Sequence, residues 1–94
     1  MSLRFEWDPD KAAVNWDKHG VTFEEAATAF ADSLSLTIPD PDHSAPKELR
    51  FVVLGLSFRD RLLVVVHVEQ GDNIRIISAR PATRAERRTY EEKE

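Results

Sequence analysis

"LLVVVHVEQGDNIRIISARP" occupies residues 62–81, and its reading decides the fold. Residues 62–69 and 74–80 are two runs rich in Val and Ile, the composition of strands. Between them Gly71-Asp72-Asn73 reads as a tight connection. Pro81 lacks the N–H that a ladder needs, so it should close the second run. Working back, "LRFVVLGLSF" (49–58) is a third run, joined to the pair by the charged turn "RDR". Three consecutive strands with short links make an antiparallel meander. Period-two alternation puts Leu62, Val64, Val66 and Val68 on one face and Leu63, Val65, His67 and Glu69 on the other. The same count sets Arg75, Ile77 and Ala79 against Ile74, Ile76, Ser78 and Arg80. It sets Arg50, Val52, Leu54, Leu56 and Phe58 against Leu49, Phe51, Val53, Gly55 and Ser57.

Upstream of the meander the punctuation changes to that of helices. "LRFEW" (3–7) reads as a first short strand. Asp8 is a good N-cap, Pro9 suits the first helical position and Gly20 supplies a left-handed stop. The spacing predicts a helix over 9–19, with Ala12, Ala13 and Trp16 at helical intervals. Thr22 and Glu25 form a capping box for a second helix over 23–31, with Phe23, Ala26, Ala27 and Phe30 on one side. The short link between the helices implies a packed helical hairpin. "LSLTI" (34–38) is a further strand, and 39–48, with three prolines, is a loop. Downstream, Thr83 and Glu86 repeat the capping box and open a helix at about 84–92. The order is β-α-α-β-β-β-β-α. It indicates an α+β fold, an antiparallel sheet with helices packed on it.

The bulk numbers set limits. Ninety-four residues are expected to form a single domain, 1–94, with a modest core. There is no cysteine, so neither disulfides nor thiolate metal sites are available. No apolar run approaches the ~20 residues that span a bilayer, and "MSLRFEWDPD" lacks the apolar stretch of a secretory signal. A cytoplasmic protein with no membrane partner is expected. The net charge of −4 argues against a general nucleic-acid coat. The charge is uneven, however. Residues 1–46 hold nine acids against three bases, and within 73–90 five arginines face one acid, Glu86.

That cluster and the histidines are the candidates for chemistry. Arg80 ends a strand at the rim of the sheet, where sites are common, and arginine grips phosphate with two parallel hydrogen bonds. The plain alternative is a surface cation paired with an acid. The last helix is thin in apolar residues (Ala85 and Tyr90, with Ala82 before the cap). Its Arg87–Glu91 and Arg88–Glu92 pairs are in the weaker order, so a partner is expected to cover it. His67 interrupts an apolar strand and reads either as a half-buried structural residue or as a functional one. His19 closes the first helix, where a cation favours the helix dipole. His43 sits in the loop as a surface residue. Three scattered histidines lack the spacing of a zinc site, and no phosphate loop or nucleophile elbow is present. No metal and no cofactor are expected.

Three stretches resemble the BrnT family of toxins from type II toxin–antitoxin pairs. They are "FEWDPDKAAVNWDKHGVTFEEAATAFADS", "PDPDHS" with "ELRF", and "IRIISARPATRAERRTYEE". Together they cover nearly the whole chain. The resemblance implies a RelE-like fold and ribonuclease activity that arrests translation. It implies neutralisation by a BrnA-type antitoxin with a ribbon-helix-helix end, in a hetero-oligomer that binds operator DNA through the antitoxin. The segment around Arg80 matches the family best, and Arg50 and His19 fall at recurring positions. RNA can be cut by its own 2′-hydroxyl attacking the adjacent phosphate. That reaction needs a base, an acid and positive charge, but no metal. Arg80, Arg50, His67, His19 and Glu48 are the candidate catalytic residues. Arg84 and Tyr90 are candidates for RNA binding, and Arg87 and Arg88 for the antitoxin. The rival reading is a non-catalytic protein- or RNA-binding module whose last helix docks a partner.

Overall fold

A computed structural model describes residues 3–40, 44 and 48–92. Its centre is the hairpin at the centre of the sequence argument. β4 (Leu62–Gln70) and β5 (Asn73–Pro81) pair antiparallel through a two-residue turn. Gly71 takes φ 61° there, a left-handed value that glycine adopts without a Cβ clash. β3 (Arg50–Leu56) pairs antiparallel with β4, and β2 (Leu36–Pro39) with β3. β1 (Arg4–Glu6) lies parallel to β5, matching Arg4 to Asn73 and Glu6 to Arg75. The sheet order is β1-β5-β4-β3-β2. With α1 (Pro9–His19), α2 (Phe23–Thr28) and α3 (Arg84–Glu92), the order of elements is β-α-α-β-β-β-β-α, and the class is α+β. His43, like most of the 39–48 loop, lies outside the described residues. Among the described residues no helix is long and apolar enough to cross a membrane.

The helix ends follow their sequence signals. Asp8 accepts from the Asp10 N–H, and Gly20 closes α1 at φ 64°. Thr83 and Glu86 form a full capping box. The Thr83 hydroxyl accepts from the Glu86 N–H, and the Glu86 carboxylate accepts from the Thr83 N–H. At α2 only half of the box forms. Thr22 accepts from the Glu25 N–H, but the Glu25 carboxylate turns away to Ser57 and Arg61.

The sheet has two unlike faces. One carries Val53, Leu63, Val65, Ile74, Ile76 and Ala79, all at most 3% exposed, under Val21, Phe23, Ala26 and Ala29. A 3-10 turn, Ala29–Ala31, continues α2 and crosses β3 closely. A Cβ on Gly55 would stand 2.7 Å from the Ala29 carbonyl oxygen, so that position requires glycine. The other face carries Leu54, Leu62 and Val64, with Leu36, Val52 and Leu56, against Ala82 and Tyr90. No residue of α3 is fully buried, as its thin apolar content implied.

Three expectations are overturned. The helical hairpin does not form, because α1 and α2 each make their principal contacts across the fold with β5. The inward side of α1 is not its Trp16 side: Trp16 and Val14 are both 53% exposed, and Asn15 is buried. The cause is the open edge of β5. β1 pairs with β5 only as far as Arg75, and beyond it the strand's backbone groups need another partner. Asn15 supplies one. Its Nδ2 donates to the Ala79 and Val21 carbonyls at 2.8 and 3.0 Å, and its Oδ1 accepts from the Ala79 N–H at 3.0 Å. Third, β5 does not alternate throughout. His67 pairs with Ile76 but Val66 pairs with Ser78, so Ile77 is an extra residue in a β-bulge. Ala79 therefore joins Ile74 and Ile76 on the face under α1 and α2, while Ser78 and Arg80 turn to the face of α3.

Candidate active site

The open part of the α3 face holds the charged residues. Arg50, Val68 and Arg75 form one row across β3, β4 and β5, so two guanidinium groups flank a buried valine. Arg75 Nη2 donates to Glu48 Oε2 at 3.0 Å, and both side chains are 41% exposed. The Nε atoms of Arg50 and Arg75 are buried and have no hydrogen-bond partner among the described residues. A buried N–H without a partner is costly, and an anionic ligand oxygen satisfies it. Beside the row is a cavity of about 310 Å³, lined by Asp8, Lys11, Glu48, Arg50, Arg75 and Ile77. A second cavity, of about 370 Å³, adjoins it between α1 and β5. Lys11 and Ile77 line both, and the second adds Asp10, Val14, Asn15, Lys18, His19 and Ser78. The stripe of α1 that lines them (Lys11, Val14, Asn15 and Lys18) repeats every three to four residues, one side of a helix.

The arrangement can bind an anion. Arg50, Arg75 and Lys11 converge on one cavity, and guanidinium forks match phosphate oxygens. Glu48 is a proton acceptor at the same place, and the Asp8 carboxylate is engaged in capping α1. Among the described residues no group of His, Asp and Glu stands together as a metal site requires.

The sequence candidates separate into four places. Arg50 and Glu48 share the cationic cavity, and His19 lines the adjoining one. Arg80 lines neither; its forked head donates to both oxygens of Glu86, each at 2.8 Å. The Glu86 partner raises the pKa of Arg80. The Arg80 hydrogen bonds, aided by the Thr83 N–H, lower the Glu86 carboxyl to about 2. Arg80 thus ties the end of β5 to the start of α3, the surface-pair alternative for this residue.

His67 stands apart from both cavities. It lies on the opposite face, 0% exposed, with ring centroids 4.8 Å from Phe30 and 5.9 Å from Phe51. Its Nε2 bonds Glu69 Oε2 at 2.8 Å. It is a core residue. Tyr90 stands apart from both cavities as well. Its ring packs on the Leu54–Leu62–Val64 cluster, and its hydroxyl donates to Asp32 Oδ2 at 2.5 Å. Arg84, Arg87 and Arg88 are exposed on α3. Beside α3, Ile38, Val52, Leu54 and Val64 line an apolar trough of about 190 Å³ with Glu86 and Thr89.

Lys11 and Arg75 were not singled out as site residues by sequence reasoning, yet Arg75 could have been. A two-residue turn at Gly71-Asp72 fixes Val68 opposite Arg75, and the meander then brings Arg50 into the same row. Lys11 carried no such signal, because its place depends on α1 lying along the edge of β5.

Against this geometry the relatives can be set. Residues 7–86 match the family model described as the ribonuclease toxin, BrnT, of type II toxin–antitoxin systems. No curated protein matches the sequence. Among solved structures, that of the Brucella abortus ribonuclease toxin BrnT is similar with a TM-score of 0.67 and 20% identity. The match covers 88% of this chain and 100% of that one. Identity that low speaks for the fold alone, but the family match spans most of the chain: the protein belongs to the BrnT family of ribonuclease toxins of type II toxin–antitoxin systems.

Proposed function

We propose that this protein is a metal-independent endoribonuclease that cuts RNA at the Arg50–Arg75–Glu48 cluster. The substrate's own 2′-hydroxyl is the nucleophile. The observation that carries this reading is the convergence of Arg50, Arg75 and Lys11 on one cavity beside Glu48. Glu48 takes the 2′-hydroxyl proton as the oxygen attacks phosphorus. The 5′-oxygen leaves with a proton from His19, giving a 2′,3′-cyclic phosphate and a 5′-hydroxyl. Arg50, Arg75 and Lys11 neutralise the crowded phosphate, the task a metal ion performs in other nucleases. Arg80 holds α3 in place at the rim, and Arg84 meets the RNA backbone beyond it.

The same reading gives the protein a cytoplasmic role as a single-domain toxin that arrests translation. A BrnA-type antitoxin neutralises it and supplies the operator-binding part of the complex. Arg87, Arg88 and the apolar trough beside α3 are the surface for that partner. The trough offers apolar area, and the two arginines complement an acidic segment. Purified protein incubated with RNA in excess chelator tests the chemistry. Products ending in a 2′,3′-cyclic phosphate are expected from the wild type, and none from Glu48→Gln. Cleavage that stops in chelator and returns with a divalent ion overturns the mechanism.

A further inference from the structure

We propose that the cavity between α1 and the bulged edge of β5 is a nucleobase subsite, holding the base next to the phosphate gripped by Arg50 and Arg75. The inference rests on the cluster being the phosphate site. The extra residue at Ile77 interrupts the β4–β5 register, and a bulge re-aims the side chains around it. Ile77 lines both cavities, so it stands at the junction between them. Across from it Val14 is 53% exposed on the side of α1 that lines the cavity. Two apolar side chains in one cavity suit the flat faces of a base. Ser78 lines the same cavity and offers a hydroxyl group to the base edge. Asn15 is not free to do so, since its amide is tied to Ala79 and Val21. It forms a fixed floor. The cavity, about 370 Å³, is of ligand-binding size, roughly 300–1,000 Å³.

A site for phosphate alone would need only the cationic cavity. An annex with two apolar side chains among polar ones, sharing Lys11 with that cavity, fits a nucleotide, whose charge and whose flat apolar faces lie side by side. Single-stranded RNA is read through such splayed bases.

Nuclear magnetic resonance titration tests the assignment. The probes are the four nucleoside 5′-monophosphates and 3′-monophosphates, with ribose 5-phosphate and inorganic phosphate beside them. All probes are expected to shift the amides of Arg50 and Arg75, and only the nucleotides those of Val14 and Ser78. The nucleotides should bind about fivefold or more tighter than ribose 5-phosphate, the worth of a small buried apolar contact. Val14→Asn, at an exposed helical position that folding tolerates, should remove that advantage and leave inorganic phosphate affinity within about twofold. Nucleotides that bind no better than ribose 5-phosphate, with Val14 and Ser78 silent, overturn the subsite and leave the phosphate site standing. Inorganic phosphate that shifts Val14 and Ser78 as strongly as a nucleotide makes the cavity a second anion site, which also overturns it. If no probe shifts Arg50 and Arg75, the phosphate site itself falls, and the subsite with it.

Discussion

The face of the sheet under α1 and α2 and the face under α3 are built from the same three long strands, by alternate residues. Under α1 and α2, Phe23, Leu63, Val65 and Ile76 are wholly buried, and the buried polar groups Asn15, Glu25 and His67 are hydrogen-bonded. Under α3 the cover is partial, and the uncovered part carries Arg50, Arg75 and Ser78. The first face supplies most of the apolar burial that holds the fold. The second leaves the Nε–H groups of Arg50 and Arg75 without partners among the described residues, at a cost that the first face offsets. Mutations on the two faces should therefore fail in different ways.

The largest effect is expected at Phe23, which is 0% exposed and meets Trp7 edge-on at 5.9 Å. Phe23→Ala should cost about 3–5 kcal/mol of stability, by lost burial and a residual cavity. Urea unfolding measures it, and a loss below about 1 kcal/mol would mean that this face is not the core described. Arg75→Ala should do the reverse. RNA cleavage should fall about 10²- to 10³-fold, or 2–4 kcal/mol in the barrier, while unfolding shifts by no more than about 0.5 kcal/mol. Full cleavage by a folded Arg75→Ala protein would separate the cationic cavity from the chemistry.

Tyr90→Phe probes the partial cover. Removing the hydroxyl that bonds Asp32 should cost about 1 kcal/mol, and locally: α3 amides should exchange faster with solvent while those of β4 do not. Uniform loss of protection would show α3 to be part of the main cooperative unit.

The smallest effect is electrostatic. The Glu86 carboxyl is lowered from 4.5 to about 2 in the folded protein. A lowered carboxyl stabilises fully above the unfolded value and loses that contribution as pH falls through the folded one. The advantage of wild type over Glu86→Gln should thus fade between pH 4.5 and 2. Both side chains of the Arg80–Glu86 pair are partly exposed, and screening by water holds the whole effect to about 1 kcal/mol or less. An advantage that persists unchanged at pH 2 would show that the pair does not set the carboxyl's acidity.

Much of this was legible in the residues. The turn at Gly71, the caps at Asp8 and Thr83 and the stops at Gly20 and Pro81 are local devices, and each marks its element where the structure has it. Placement across the fold was harder. The doublet Ile76-Ile77 hid the bulge, because either isoleucine satisfies an apolar face. Counting by twos then carried Arg80 to the wrong side. Asn15 carried no signal, because the open edge it pairs with lies more than sixty residues downstream. His67 drew notice as a lone histidine among valines. Its burial between two phenylalanines depends on the 3-10 turn and β3 together. Local chemistry fixes where elements start and stop, whereas the site depends on how distant elements meet.

The parallel pairing of β1 with β5 has a consequence for how the molecule is made. Synthesis is vectorial, and residues 4–6 wait for residues 73–75 before they can join the sheet. Until then α1 and α2 lack β5, the strand each contacts most, and Arg75 does not exist. A nascent chain halted anywhere before β5 holds neither a finished core nor a complete cluster of cations. The cationic cavity is thus complete only once the last strand has left the ribosome.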